Sequence, residues 1–255
     1  MEEWRNIGTR LEEFIRPATF PLAVRFLAEG EDPPEKARRP LVEAGGPIAI
    51  CQGITLARTR GLTMAFGLED SSCPLATVAY GWDESLDPKF MLTFFQVMNY
   101  ARNEVAASTR LENMARLKPG QYPQLVLSPL ARTRVEPHLV LVYGNPAQIM
   151  RLVHATTGWT GERVPADFGG IAGSCNEGLL RTFIDETPRV ALPGNGDRVF
   201  AATQDDQLIF AFPSSWAEKI IDGLDATAAR GVRYPVPTFM NYQLPFTELM
   251  ERFNQ

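Results

Sequence analysis

Histidine and cysteine are scarce in this chain of 255 residues, which has two of the first and three of the second. Two histidines cannot build a histidine-rich metal site. An odd number of cysteines speaks against a disulfide framework, so free thiols are expected. No apolar run reaches the length that spans a bilayer, and the opening Met1, Glu2, Glu3 and Trp4 lack the basic and apolar regions of a signal peptide. A cytoplasmic protein is expected, where thiols stay reduced. Basic charge is not in excess either: 25 Lys and Arg against 30 Asp and Glu leave a net charge of −5. Arg132 with Arg134 is the nearest thing to a basic patch, which argues against a nucleic-acid partner that needs clustered cations to displace counterions. A 45% apolar content describes a soluble globular protein. The length admits one large domain or two closely packed halves.

What the chain does have is an echo between two of its cysteines. Residues 45–51, Gly-Gly-Pro-Ile-Ala-Ile-Cys, and residues 169–175, Gly-Gly-Ile-Ala-Gly-Ser-Cys, end on Cys51 and Cys175 and lead into helical segments at 54–60 and 179–184. Strand-like runs flank both: 21–27 and 62–66 around Cys51, 138–143 and 189–192 around Cys175. The spacing suggests an internal duplication of about 20–82 and 137–213. Counting equally onward from each cysteine sets Cys73 against Asp197. Cys73 itself stands in Ser-Ser-Cys-Pro at 71–74.

Elsewhere, Trp4, Ile7, Leu11 and Phe14 share one helical face, so residues 2–16 read as an amphipathic helix that Pro17 ends. Asp87 and Pro88 open a helix rich in aromatics that runs toward Arg110. Further strands are expected at 122–129 and 208–212, and further helices at 147–154, capped by Gly158, and at 216–224. Tyr234 to Pro237 suits an extended surface segment. The fold class is α+β: two related βα halves packed as one unit over residues 1–255, with an N-terminal amphipathic helix.

A thiolate at a helix N-terminus is favoured by free backbone N–H groups and the helix dipole. The paired glycines let backbone approach a bulky inorganic group, and cysteine followed by proline recurs among iron–sulfur ligands. Three thiolates leave one iron position open for a substrate. The plain alternative is that buried cysteine acts as a small hydrophobe, and the spacing matches no compact zinc or ferredoxin pattern. A nucleophilic Cys175 is the other reading. It wants a histidine base, and His138 and His154 both look structural. Residues 193–198, Pro-Gly-Asn-Gly-Asp-Arg, read either as a tight turn whose amides cradle an anion paired with Arg198 or as an ordinary strand-end turn. It is no nucleotide-binding fingerprint. Asp205 and Asp206 read as a solvated loop or, less simply, a cation site.

Together, residues 21–26, Cys51-Gln52, 72–74, 144–148, 173–175, 193–198, 203–206 and 231–235 resemble the domain-of-unknown-function family 169, also labelled ArCR, of bacteria and archaea. The resemblance covers almost the whole chain and implies that the three cysteine turns and the turn at 195–198 belong to one recognised pattern. The family carries no assigned activity. The leading expectation is a [4Fe-4S] cluster on Cys51, Cys73 and Cys175, with zinc or no metal as alternatives. Asp197 or Arg198 would lie near the open iron, and the substrate would be a small anion. A cluster-free enzyme using Cys175 and a non-catalytic ligand-binding protein are the competing readings, and a homodimer is compatible with all three.

Overall fold

The computed structural model describes residues 1–83 and 88–236. In chain order the elements are α1 (Glu2–Ile15), β1 (Leu22–Leu27), α2 (Pro40–Glu43), α3 (Ile50–Arg60), β2 (Met64–Phe66), α4 (Pro74–Ala79), α5 (Pro88–Val97), α6 (Glu104–Asn113), β3 (Gln124–Pro129) and β4 (Leu139–Gly144). The second half carries α7 (Pro146–Thr160), β5 (Ala166–Asp167), a π-helix (Gly173–Leu180), α8 (Arg181–Asp185), β6 (Arg189–Ala191), α9 (Asn195–Val199), β7 (Leu208–Pro213) and α10 (Ala217–Ala229). The protein is α+β. Among the described residues the strands form one seven-stranded sheet in the order β2-β3-β1-β4-β7-β6-β5, parallel between β5 and β6 and antiparallel elsewhere.

Alternation along the central strands buries both faces. Leu22, Val24 and Phe26 of β1 pack with Leu139, Leu141 and Tyr143 of β4 under α3, α4 and the π-helix. Their neighbours Ala23, Val140 and Val142 pack the opposite way against α1, α7 and α10. The result is three layers, helix on sheet on helix, with side chains pointing alternately into two cores. The registers on the two sides of the centre match. β1 meets β3 from Leu22↔Pro129, and β4 meets β7 from Leu139↔Pro213. β2 then lies on β3 at Phe66↔Leu125, as β6 lies on β7 at Ala191↔Ile209.

Helix α1 buries Trp4, Ile7, Leu11 and Ile15, and Arg16 ends it in the left-handed region at φ 47 just before Pro17. The long aromatic helix expected up to Arg110 is in fact two, α5 and α6. Asn99 takes a left-handed conformation (φ 55), and the Asn103 side chain accepts the Ala106 N–H at 2.9 Å to start the second helix. Asp87, its expected cap, lies outside the described residues. Gly158 is not the cap of α7: the helix continues to Thr160, and Gly161 (φ 70) closes it. The helix expected at 216–224 runs on to Ala229. His138 precedes β4 and accepts the Phe26 N–H on Nδ1 at 3.2 Å, while His154 is exposed on α7. Tyr234 holds the Asn145 side chain at 3.0 Å, and Pro237 lies outside the described residues. Among the described residues no helix is long and apolar enough to cross a membrane.

Candidate functional site

Cys51, Cys73 and Cys175, the chain's whole complement of cysteine, line one cavity of about 280 Å³ together with Asp197. All three are free thiols. Each stands where a helical segment begins: Cys51 is the second residue of α3, Cys73 caps α4, and Cys175 is the third residue of the π-helix.

Backbone pairing draws these starts together. Ile48 N–H bonds the Asp70 carbonyl at 2.9 Å and Ser72 N–H bonds the Ile48 carbonyl at 3.2 Å, so the turn before Cys51 lies along the turn before Cys73. On the other side, Asn195 N–H bonds the Gly170 carbonyl at 3.0 Å. Two glycines allow that approach. A Cβ on Gly173 would fall 2.1 Å from the Leu192 carbonyl oxygen, and one on Gly194 would fall 2.9 Å from Ile171 backbone. Tyr80 Oη then donates to the Cys175 carbonyl at 2.9 Å and ties the π-helix to α4. Ala172, which opens the π-helix, is held at φ 51, a costly conformation for a residue with a Cβ. A π-helix and left-handed alanine at one cavity are the kind of local strain found at functional sites.

The site is acidic, and its wall is largely apolar. Burial pushes the Cys51 thiol up to about 12, and the charges of Asp197 and Cys73 add to this, against the pull of the Gln52 and Cys51 backbone N–H groups. Burial also raises Cys73, opposed by the N–H groups of Ala76 and Leu75, and holds Cys175 well above the ordinary thiol range. Burial raises Asp197 too, although Ser174 and Gly194 hydrogen bonds oppose it. No Lys, Arg or His is among the described residues lining the cavity. Three thiols that disfavour one another's charge therefore share this space with Asp197, whose own charge is partly offset by Arg198 from outside the cavity. Phe94, Met98 and Phe200 supply apolar wall.

The remaining sequence candidates fall differently. Asp197 is at the cavity but fully engaged, with Oδ1 taking the Ser174 hydroxyl and Oδ2 taking the N–H groups of Gly194 (2.7 Å) and Ser174 (3.3 Å). Arg198 does not line the cavity. Its Nη1 donates to the Gln204 carbonyl at 2.7 Å and stands 3.7 Å from Asp205. The stretch at 193–198 is the start of α9 rather than an open anion cradle, and the amides of Gly194, Asn195 and Arg198 already have partners. Asp205 and Asp206 are exposed in a turn. Neither histidine is at the cavity. Sequence reasoning missed Ser174 and Tyr80 and did not single out Phe94 for the site; the serine beside Cys175 was the available signal.

A family model described as DUF169, uncharacterised ArCR, matches residues 10–223. The chain belongs to this family. An ArCR chain of this kind also matches an uncharacterised protein of Methanocaldococcus jannaschii, MJ0308, with 23% identity over 176 residues, 69% of this chain and 75% of the relative. No solved structure matches. The cysteine cavity lies wholly within the matched residues, whereas the segment after Gly223 lies beyond them.

Proposed function

We propose that this ArCR protein is a cytoplasmic iron–sulfur protein in which Cys51, Cys73 and Cys175 hold a [4Fe-4S] cluster with one iron left without a protein thiolate. The observation that carries this reading is the meeting of all three cysteines, from three separate helix starts, in a single cavity. The donor set fits. Three thiols in a cavity whose described lining holds no Lys, Arg or His become compatible with ionisation when a cationic guest supplies the charge, and backbone N–H groups already favour the thiolates. Among the described residues no three His, Cys, Asp or Glu side chains close on one point as ligands of a single metal ion. A single zinc needs its thiolates within about 2.3 Å of one centre, whereas a cluster takes each on a different iron. When bound, such a cluster supplies a Lewis-acidic iron or an electron carrier. Asp197, fixed by Ser174, positions the π-helix start, and Phe94 and Phe200 supply apolar wall beside the thiols. A nucleophilic Cys175 is less well supported, because its thiol is buried, shifted away from ionisation and without a histidine nearby.

The matched sheet registers further support an internal duplication, which we read as two halves of one unit meeting at β1 and β4. The halves correct the simple residue count. Asp70 Oδ2 accepts the Gly67 N–H at 2.9 Å, as Asp197 Oδ2 accepts the Gly194 N–H at 2.7 Å. Asp197 is thus the counterpart of Asp70, not of Cys73.

The test is anaerobic purification with iron, acid-labile sulfide and absorbance measured on wild type and Cys73→Ala. The expected outcome is a brown protein with several irons per chain, lost in the variant. A wild type that stays colourless and free of iron and sulfide after reconstitution, with thiols that react freely, overturns the reading.

A further inference from the structure

A second cavity, of about 260 Å³, lies behind the first and shares Leu75, Ile171 and Ala172 with it as a partition. Its wall carries a larger polar share than that of the thiol cavity, and its polar groups gather on one residue. Gly169 N–H donates to Glu177 Oε1 at 2.7 Å, and the Gly169 carbonyl accepts from Arg110 Nη1 at 3.1 Å. A Cβ on Gly169 would lie 2.0 Å from Glu177 Oε1, so glycine lets the carboxylate seat there. Arg181 lines the same space, donating to the Asn113 carbonyl and standing 3.9 Å from Asp167.

Two needs are left open. Glu177 Oε2 is buried with no hydrogen-bond partner among the described residues, which is costly unless a guest donates to it. Arg110 has no carboxylate within ion-pair distance among those residues, and its guanidinium still has donors to give. An unfilled acceptor and an unfilled cation are separated by the single peptide residue that anchors both. That separation suits a molecule carrying a negative group and a donor on neighbouring carbons.

We propose that this cavity is a ligand site for a small carboxylic acid bearing an α-amino or α-hydroxyl group. Its carboxylate lies on Arg110 with Arg181 beside it, and its N–H or O–H lies on Glu177 Oε2. The site supplies the anion recognition that the thiol cavity lacks, one chain thickness away, and it is built from residues that do not include a cysteine.

The test is calorimetry on the full chain with L-alanine, L-lactate and acetate. One of the first two is expected to bind at least about tenfold more tightly than acetate, which has no α-donor. Binding of L-alanine alone marks an amino-acid ligand, and of L-lactate alone a hydroxy acid. Arg110→Gln is expected to weaken binding by about tenfold or more, with its unfolding midpoint showing that the fold is intact. Glu177→Gln is expected to erase the preference over acetate. Cys73→Ala should bind as wild type does, which separates this site from the iron reading. Absence of binding by both α-substituted acids, undiminished binding in a folded Arg110→Gln, or loss of binding in a folded Cys73→Ala each overturns the proposal.

Discussion

His138 sits at the foot of β4 with its ring against those of Phe26 and Phe183 and its Nδ1 accepting a backbone N–H. Burial first, then the charge of Arg25, lowers its pKa from 6.5 to about 4. Because the folded value is the lower one, the unfolded chain binds the extra proton between about pH 6.5 and pH 4, and stability falls as pH drops through that window. Discounted for the ring's partial exposure, the loss is about 1 kcal/mol by pH 5. Urea unfolding at about pH 7.5 and about pH 5 should show it in wild type and not in His138→Gln, whose amide oxygen can still take the Phe26 N–H. Identical pH slopes in the two proteins would contradict this assignment. The sequence shows the histidine at the start of a strand but not the arginine that faces it. Gln148 was equally silent. Its Nε2 donates to the Ile15 and Arg16 carbonyls and closes α1 from 132 residues away along the chain. The cysteines were legible because rare residues at repeated turns stand out, whereas the direction of Arg198 depends on a downstream turn that offers it Gln204 and Asp205.

At the scale of elements, glycine divides into positions that must stay and positions that need not. Gly158 lies inside α7 with nothing within 4 Å of its missing Cβ. Gly158→Ala should therefore stabilise the protein by about 0.5 to 1 kcal/mol, because it restricts the unfolded chain and improves helix propensity. Gly173→Ala should cost about 3 kcal/mol or more, since the added carbon meets a strand carbonyl that cannot yield. Denaturant unfolding of both variants checks the opposite signs. Had Gly158 been a left-handed cap, alanine there would destabilise instead. The π-helix explains why the second cysteine helix was placed late in the sequence reading. Its start has no capping side chain, and Gly-Ser-Cys-Asn-Glu-Gly at 173–178 offers few helix formers. Tertiary bonds, from Asp197 to Ser174 and from Tyr80 to the Cys175 carbonyl, hold it. The central strands were easy by comparison, because burial on both faces writes them as unbroken apolar runs.

For the molecule as a whole, strand identities could be read locally but their order could not, since pairing joins residues more than one hundred positions apart. Once the order is known, counting three residues on from Asp70 and from Asp197 sets Cys73 against Phe200, and both line the thiol cavity. On our reading one half keeps a thiol where the other has a phenyl ring. Phe200→Cys should then close the site with a fourth thiolate, giving iron that a chelator removes more slowly than from wild type. Chelator kinetics on the two reconstituted proteins would decide it, and equal or faster loss in the variant would count against the fourth-corner assignment. The sheet order has another consequence. Its outermost strands, β2 and β5, have three residues and two, and Arg38 bridges to the outer side of β2 at Met64. Among the described residues neither rim offers a long row of unpaired amides and carbonyls, so a second sheet finds no template in these strands, which guards them against strand-by-strand aggregation at high concentration.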